Sequence, residues 1–241
     1  MDQQPKPSSK QYADLISEIQ KGIIKIPKFQ RDFVWSVEKT AKLLDSILKG
    51  YPIGTFILWE TDERINDIKN IGNLNIPLTP DGTKVQYVLD GQQRITSLFA
   101  AYKGAEIQKV GEKAVTDYNN IFVDLDRDIN DNESQVITVE PVGENYLSLN
   151  DVLNFTFRKG RELSAVFSED QLDLINAYST AFQTYEFSVV LLRKEEMDAA
   201  IEVFTRINTG GQKLTLFEIM SAKTYDEPQG FDMQVKWARF M

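Results

Sequence analysis

The stretch VLDGQQRITSLFAAY, residues 88–102, decides the fold because its hydrophobic period changes in the middle. Its first residues end the run VQYVLD, which is rich in the branched and aromatic side chains that favour a β-strand. After Gly91 the apolar residues recur at helical spacing, with Ile95, Leu98 and Phe99 on one face. The stretch therefore predicts a buried strand that passes directly into a helix.

The joint between this strand and this helix has two interpretations. In the first, Asp90 is the N-cap of the helix and Gln93, three residues later, reaches back as in a capping box. In the second, the joint binds an anion. A helix N-terminus presents unpaired amides, Gly91 lets a ligand approach the backbone, and Arg94 adds a planar fork that matches phosphate oxygens. These residues alone leave both interpretations open.

The residue types that are missing narrow the possible chemistry. The chain has 241 residues and contains neither cysteine nor histidine. Disulfides, thiol nucleophiles and thiolate metal sites are therefore excluded, as are histidine bases and histidine-ligated zinc. Any chemistry must come from carboxylates, amides, hydroxyls, lysine and arginine, with or without a hard cation.

The overall charge and hydropathy predict a cytoplasmic protein that does not coat DNA. The net charge is −9 and the pI is about 4.7, which argues against sequence-blind binding through phosphate neutralisation but allows a local basic groove. No apolar run approaches the ~20 residues needed to span a bilayer. The first residues, MDQQPKPSSK, do not resemble a secretory signal, so no membrane association is expected.

The remaining segments mix strand and helix patterns without a regular β-α-β alternation, which predicts an α+β fold. Residues 1–9 are predicted to form a flexible polar tail. Helices are predicted within residues 8–22, 36–50, 169–185 and 195–207, and strands within residues 51–60, 120–126, 135–141 and 186–193.

A second polar stretch, PKFQRDFVW, places Gln30 and Arg31 in an extended segment after Pro27. By itself this pattern favours an edge strand with aromatic packing. Gln30 and Arg31 indicate a ligand site only when this stretch is considered together with the other arginine-bearing stretches.

A third polar stretch, FTRINTGG, ends a predicted helix with Arg206 and Asn208, followed by Gly210 and Gly211. An Asn/Gly helix stop explains this pattern, but consecutive glycines also form nests of amides that bind anions. Three arginine-bearing polar joints in one domain favour a shared anionic ligand.

Three ordered stretches, IPKFQRDFVW, YVLDGQQRITSL and VFTRINTGGQKLTLFEIMSA, resemble the N-terminal domain of GmrSD-type modification-dependent (type IV) restriction endonucleases. This is a bacterial and archaeal anti-phage family, and the resemblance covers residues 10–225. That domain is similar to the ParB/sulfiredoxin fold, so the resemblance implies a mixed sheet with surrounding helices and a helical C-terminal extension. Residues 226–241 would then begin a connection to a further C-terminal region.

The resemblance also implies binding, and hydrolysis, of a nucleoside triphosphate with Mg²⁺ or a similar cation. The catalytic roles would fall on Asp90, which positions the metal or water, on Gln92 or Gln93, which orients the attacking water, and on Arg94. Phosphoryl transfer needs mainly positioning and charge neutralisation, so a site without histidine suffices. The implied nucleotide-binding residues are Gln30, Arg31, Gly91, Arg94, Thr96, Arg206, Asn208, Gly210 and Gly211.

As partners, the resemblance implies modified DNA and an HNH-type nuclease domain, in cis or in trans, because complete family members usually carry that histidine-containing domain. Two alternatives remain. The domain could be a modified-DNA-binding sensor without hydrolysis, or a ParB-like metal-dependent nuclease that uses carboxylates such as Asp124 and Asp126. The segment VDLD that holds these two residues is, however, more typical of a strand end.

The anion-site interpretation makes an expectation for Arg94. If its main role is to hold phosphate, Arg94→Ala should weaken nucleotide binding by about tenfold to a hundredfold. The melting temperature should then stay nearly unchanged.

Overall fold

The computed structural model describes residues 6–207, except residues 66, 68–69, 72–73, 128, 130–132, 140–142, 144 and 194–196. The predicted connection over residues 226–241 and the first five residues of the predicted tail lie outside the described residues.

The strands and helices follow one another in an order without regular alternation. The helices are α1 (Tyr12–Gln20), α2 (Val37–Leu48), α3 (Gln92–Lys103), α4 (Leu149–Leu153), α5 (Phe157–Leu163), α6 (Glu169–Thr184) and α7 (Met197–Ile207). The strands are β1 (Lys6–Gln11), β2 (Ile24–Lys25), β3 (Thr55–Thr61), β4 (Asn70–Ile71), β5 (Leu74–Asn75), β6 (Val85–Asp90), β7 (Glu106–Gln108), β8 (Val115–Asp117), β9 (Phe122–Asp124), β10 (Val136–Ile137), β11 (Tyr146–Ser148) and β12 (Glu186–Leu192).

The main sheet has five strands in the order β1-β12-β3-β6-β2. The β1/β12 and β3/β6 pairs are antiparallel, whereas the β12/β3 and β6/β2 pairs are parallel. Helices flank this mixed sheet, so the predicted α+β class is confirmed.

Alternate residues of the central strands face two separate cores, because successive side chains of a strand point to opposite sides of the sheet. Phe56 and Val88 belong to the larger core, which also contains the buried faces of α1, α2, α3 and α6. Trp59 and Tyr87 belong to the smaller core, where Phe204 of α7 packs. The strand end that leads into α3 is therefore held on both faces.

Most of the predicted elements are present at the expected positions. The segments predicted as helices contain α1, α2, α6 and α7, and the predicted strand pair over residues 120–126 and 135–141 is observed as β9 and β10. Ser168 and Gln171 form the capping box of α6.

The predicted tail is wrong for residues 6–9, which lie in β1. This strand is an edge of the sheet and pairs along its length with β12. Because the pairing is made by backbone groups, it does not need the apolar alternation by which a strand is recognised from sequence.

In the described part of the chain, no helix combines the length and the apolar character required to cross a bilayer.

Candidate functional site

The joint between β6 and α3 turns at Gly91, which is the N-cap residue of the helix. Its φ of 92° lies in the left-handed region that glycine adopts readily. A Cβ atom at this position would overlap the ring of Phe56. The backbone conformation and the neighbouring ring therefore both require glycine here.

Among the described residues, no side chain caps the N-terminus of α3. The first helical hydrogen bond runs from the Ile95 N–H to the Gly91 carbonyl at 3.0 Å, so the amides of residues 92–94 precede it. The cap interpretation, with Asp90 as N-cap and Gln93 in a capping box, is wrong because Gly91 occupies the cap position. The uncapped amides leave partial positive charge at this helix end.

A cavity of about 110 Å³ lies at this helix end. One wall is the joint itself, and the other is contributed by the segment of residues 28–36, which we call the strap. The structure thus brings together two of the three polar stretches that the sequence suggested. The lining residues are Gln30, Arg31, Trp35, Asp90, Gly91, Gln92, Gln93 and Arg94.

Side chains hold the strap against the joint. The Gln30 Nε2 donates to the carbonyls of Val88 and Leu89 at 2.9 and 3.1 Å. Near the other end of the strap, the Tyr118 hydroxyl donates to the Trp35 carbonyl at 2.6 Å. Gln30 therefore positions the strap, a role that the predicted edge-strand pattern did not reveal.

Gln93 makes the central attachment of the strap and is nearly fully buried. Its Oε1 accepts from the Val34 N–H at 2.9 Å, and its Nε2 donates to the Asp32 carbonyl at 2.9 Å. The same Nε2 also donates to the Gln92 Oε1 at 2.9 Å. Both ends of the Gln93 amide are therefore used within the protein.

Arg94 is held by the first residues of β3 and the turn before it. Its Nη1 donates to the Ile53 carbonyl at 2.6 Å, and its Nη2 donates to the Thr55 carbonyl at 2.9 Å. Its side chain is only 17% exposed, and its Nη2 also lies 3.4 Å from the Asp90 Oδ2. Arg94 therefore joins the α3 N-terminus to β3 as well as lining the cavity.

The slot that receives the Arg94 guanidinium is shaped by glycine and an aromatic ring. Its Cζ lies 5.0 Å from the centroid of the Phe56 ring, and a Cβ on Gly54 would lie 2.6 Å from its Nη1. Burial lowers the pKa of Arg94, while the neighbouring Asp90 carboxylate raises it. An arginine guanidinium keeps its proton in proteins even when its pKa is lowered, so Arg94 remains charged at neutral pH. The turn segment PIGT was not identified as part of the site from sequence.

The Arg31 guanidinium, unlike that of Arg94, is not held by other groups of the described residues. It lies on the strap, lines the cavity and is exposed. Within the described residues it makes no hydrogen bond and no ion pair. The charge of this guanidinium is therefore available to a ligand.

Asp90 supplies the carboxylate that faces the cavity. Its side chain is 39% exposed, and its one hydrogen-bond and ion-pair partner in the described part of the chain is Arg94. A Mg²⁺ ion is commonly bound through one or two carboxylates together with substrate phosphates, so Asp90 fits such an ion when phosphate is present. The adjacent Arg94 charge opposes the binding of a bare cation.

The remaining residues that were predicted to bind nucleotide are not among the described residues that line the cavity. Thr96 is buried, its Oγ1 has no hydrogen-bond partner in the part of the chain described, and it does not line the cavity. Arg206 is exposed on α7, pairs with Glu202 and does not line the cavity. The residues Asn208, Gly210 and Gly211 lie outside the described residues.

The carboxylates proposed for a nuclease are engaged elsewhere. The Arg127 Nε lies 2.9 Å from the Asp124 Oδ2, and the Asn145 Nδ2 donates to the Asp126 Oδ1. Across residues 6–207, within the described ranges, no group of three or more possible metal ligands occurs. Nothing in the arrangement of these side chains favours the nuclease alternative.

Comparisons with known proteins cover most of the chain, including the residues of the strap and the joint. An uncharacterized protein of Methanocaldococcus jannaschii is 25% identical over 262 residues, which cover 95% of this chain and 43% of that relative. The chain therefore spans less than half the length of this curated relative. Residues 12–225 match the family model of the GmrSD restriction endonuclease N-terminal domain. Because that match includes the strap, the joint and most of the chain, the protein belongs to the GmrSD N-terminal domain family.

Proposed function

We propose that the domain binds the phosphates of a nucleoside triphosphate between the strap and the α3 N-terminus, and that this binding regulates a restriction system acting on modified DNA. The observation that carries the proposal is that Arg31 and the N-terminus of α3 line the same cavity. Among the described residues, Arg31 has no bonding partner and no side chain caps this helix end. Both features favour an anion with several oxygen acceptors. Membership of a restriction endonuclease family supports the DNA context.

The size of the cavity suits phosphate groups rather than a whole nucleotide. A volume of about 110 Å³ accommodates only a few water-sized groups. Pockets that enclose a complete small ligand are larger, at roughly 300–1,000 Å³. The phosphates would therefore enter the cavity, and the base and sugar would remain outside it.

In this proposal the residues of the site bind and orient rather than form covalent bonds. Arg31 and the amides of residues 92–94 hold the phosphate oxygens, and Arg94 keeps the joint in place. A Mg²⁺ ion held by Asp90 together with the phosphates would neutralise charge on them. The exposed side of the Asp90 carboxylate would orient water beside the terminal phosphate.

The deciding experiment is a panel of nucleoside triphosphates and diphosphates, tested by calorimetry and by phosphate release, with and without Mg²⁺. Binding of a triphosphate with phosphate release supports an NTP-hydrolysing regulatory domain. Binding without release supports a sensor that does not hydrolyse. If no nucleotide binds in either condition, the proposed function is wrong.

DNA cleavage is proposed to come from another region or subunit. The HNH mechanism uses a histidine base, and the 241 residues contain no histidine. A nuclease domain supplied in cis or in trans would carry out the cutting, and nucleotide bound at the cavity would regulate it.

Arg31→Ala should reduce the affinity for nucleotide by about tenfold to a hundredfold, since one charge-assisted contact contributes ~1.5–3 kcal/mol. Because Arg31 has no partner among the described residues, the melting temperature should stay within about a degree of the parent. Arg158→Ala is the matched control, since Arg158 is 90% exposed and lies outside the cavity lining. Equal affinities of parent and Arg31→Ala would remove Arg31 from the site.

Asp90→Asn should abolish the dependence of nucleotide binding on Mg²⁺ and slow phosphate release by at least tenfold, because it removes the charge that a metal requires. The free energy of unfolding should fall by less than ~1 kcal/mol, since the Asp90–Arg94 pair is long and partly exposed. Calorimetry and urea denaturation measure the two effects. Parental phosphate release by the Asn variant would exclude a catalytic role for Asp90.

A further inference from the structure

Gln92 lines the cavity although its residue is only 5% exposed. A buried glutamine can present either a carbonyl acceptor or an amino donor to such a space, and the two ends attract opposite ligands. Which end faces the cavity therefore decides what Gln92 can bind. The hydrogen bonds of its neighbour, Gln93, settle this orientation.

The orientation of the Gln93 amide follows from backbone groups of unambiguous polarity. The Val34 N–H can only donate, so the atom that it meets at 2.9 Å is the Gln93 oxygen. The Asp32 carbonyl can only accept, so the atom that it meets at 2.9 Å is the Gln93 nitrogen. The reverse orientation of the Gln93 amide would place a donor against the Val34 N–H and an acceptor against the Asp32 carbonyl.

The orientation of Gln93 determines that of Gln92. The Gln93 Nε2, already oriented by the strap, also donates to the Gln92 side chain at 2.9 Å, so the end of Gln92 that faces it must be the oxygen. The Gln92 Nε2 is thereby turned away from Gln93. It has no hydrogen-bond partner in the described part of the chain, and it is not fully buried. This donor is left for the cavity.

We propose that Gln92 is a hydrogen-bond donor to an oxyanion of the bound phosphates, and that Gln93 is the positioning residue that orients it through the strap. The inference rests on the proposed function and refines it. Gln92 then acts beside Arg31 and the α3 amides as a further hydrogen-bond donor to the phosphates. Because its oxygen is turned towards Gln93, Gln92 serves as a phosphate ligand rather than as an acceptor that activates water.

Isosteric substitutions test the two roles. Gln92→Glu replaces the donor by a negatively charged acceptor, so the affinity for inorganic triphosphate and for ATP, GTP and UTP should fall at least tenfold. Gln93→Glu keeps an acceptor for the Val34 N–H but loses the donors to Asp32 and Gln92, and a similar loss of affinity is expected. Gln20→Glu, an exposed residue at the end of α1, is the control because it makes the same change of charge, and it should bind within twofold of the parent.

Side-chain amide NMR of the unsubstituted, ligand-free chain tests the geometry without relying on a variant that folds poorly. The Gln93 amide protons should exchange slowly because both N–H groups are bonded, whereas the Gln92 amide protons should exchange with cavity water at least tenfold faster. On addition of inorganic triphosphate, the Gln92 amide signals should shift while those of Gln20 should not.

The outcomes separate this inference from the proposed function. If the parent binds triphosphate and Gln92→Glu binds it equally well, or if the Gln92 amide is as protected as that of Gln93, the donor role is overturned while the proposed function stands. If the parent binds neither inorganic triphosphate nor any nucleotide, the proposed function fails and the donor role fails with it. Loss of binding in both Glu variants but not in Gln20→Glu, together with the exchange difference, supports the inference.

Discussion

Gly91→Ala should lower the free energy of unfolding by about 2–5 kcal/mol, a large share of the stability of an ordinary domain. One part of this loss is the strain of a left-handed backbone at a φ of 92°, and another is the overlap of the new methyl group with the buried Phe56 ring. The methyl group would also lie 3.2 Å from the Arg94 Nη2. Urea denaturation followed by circular dichroism measures the loss.

Gly82→Ala is the matched control for this prediction. Gly82 also has a left-handed φ, of 72°, but a Cβ at that position has nothing within 4 Å. Only the backbone component, about 1–2 kcal/mol, should be lost there. Equal losses in the two variants would show that the Phe56 ring moves aside without cost, and would contradict the tight packing of the joint.

Arg94→Ala should lower the free energy of unfolding by about 2–4 kcal/mol and also reduce nucleotide affinity. The stability loss follows from the two carbonyls, of Ile53 and Thr55, that lose a charged donor, and from the lost contact with the Phe56 ring. The sequence had suggested a nearly unchanged melting temperature. The structure corrects that expectation because this guanidinium also joins α3 to β3.

Arg94→Lys separates the shape of the side chain from its charge. An ammonium group keeps the charge but cannot make the two diverging bonds of the planar fork, so most of the stability loss should remain. Arg158→Ala, at an exposed position, should change stability by less than ~0.5 kcal/mol. If Arg94→Ala is as stable as the parent, the carbonyl contacts contribute nothing and Arg94 does not hold the joint in place.

The change of hydrophobic period at Gly91 was enough to predict β6 and α3, because strand and helix periods are local properties of a dozen residues. The predictions of α1, α2 and α6 succeeded for the same reason. Strand β1 was missed because its partner β12 lies far along the chain and its own side chains are polar. Its pairing depends on backbone groups that every sequence provides.

The sequence by itself determined the α+β class, the joint as the place of the candidate site, and the absence of histidine and cysteine chemistry from these 241 residues. Only the tertiary structure decided what each side chain of the joint does. Gln93 meets Val34 and Asp32 across 59 and 61 residues, and Arg94 meets Ile53 across 41. Sequence spacing carries no information about such contacts, because the folding of β3 and the strap against the joint brings these groups within hydrogen-bond distance. The physical reason is that a residue's type limits which bonds it can form, whereas the packed chain selects which of them it makes.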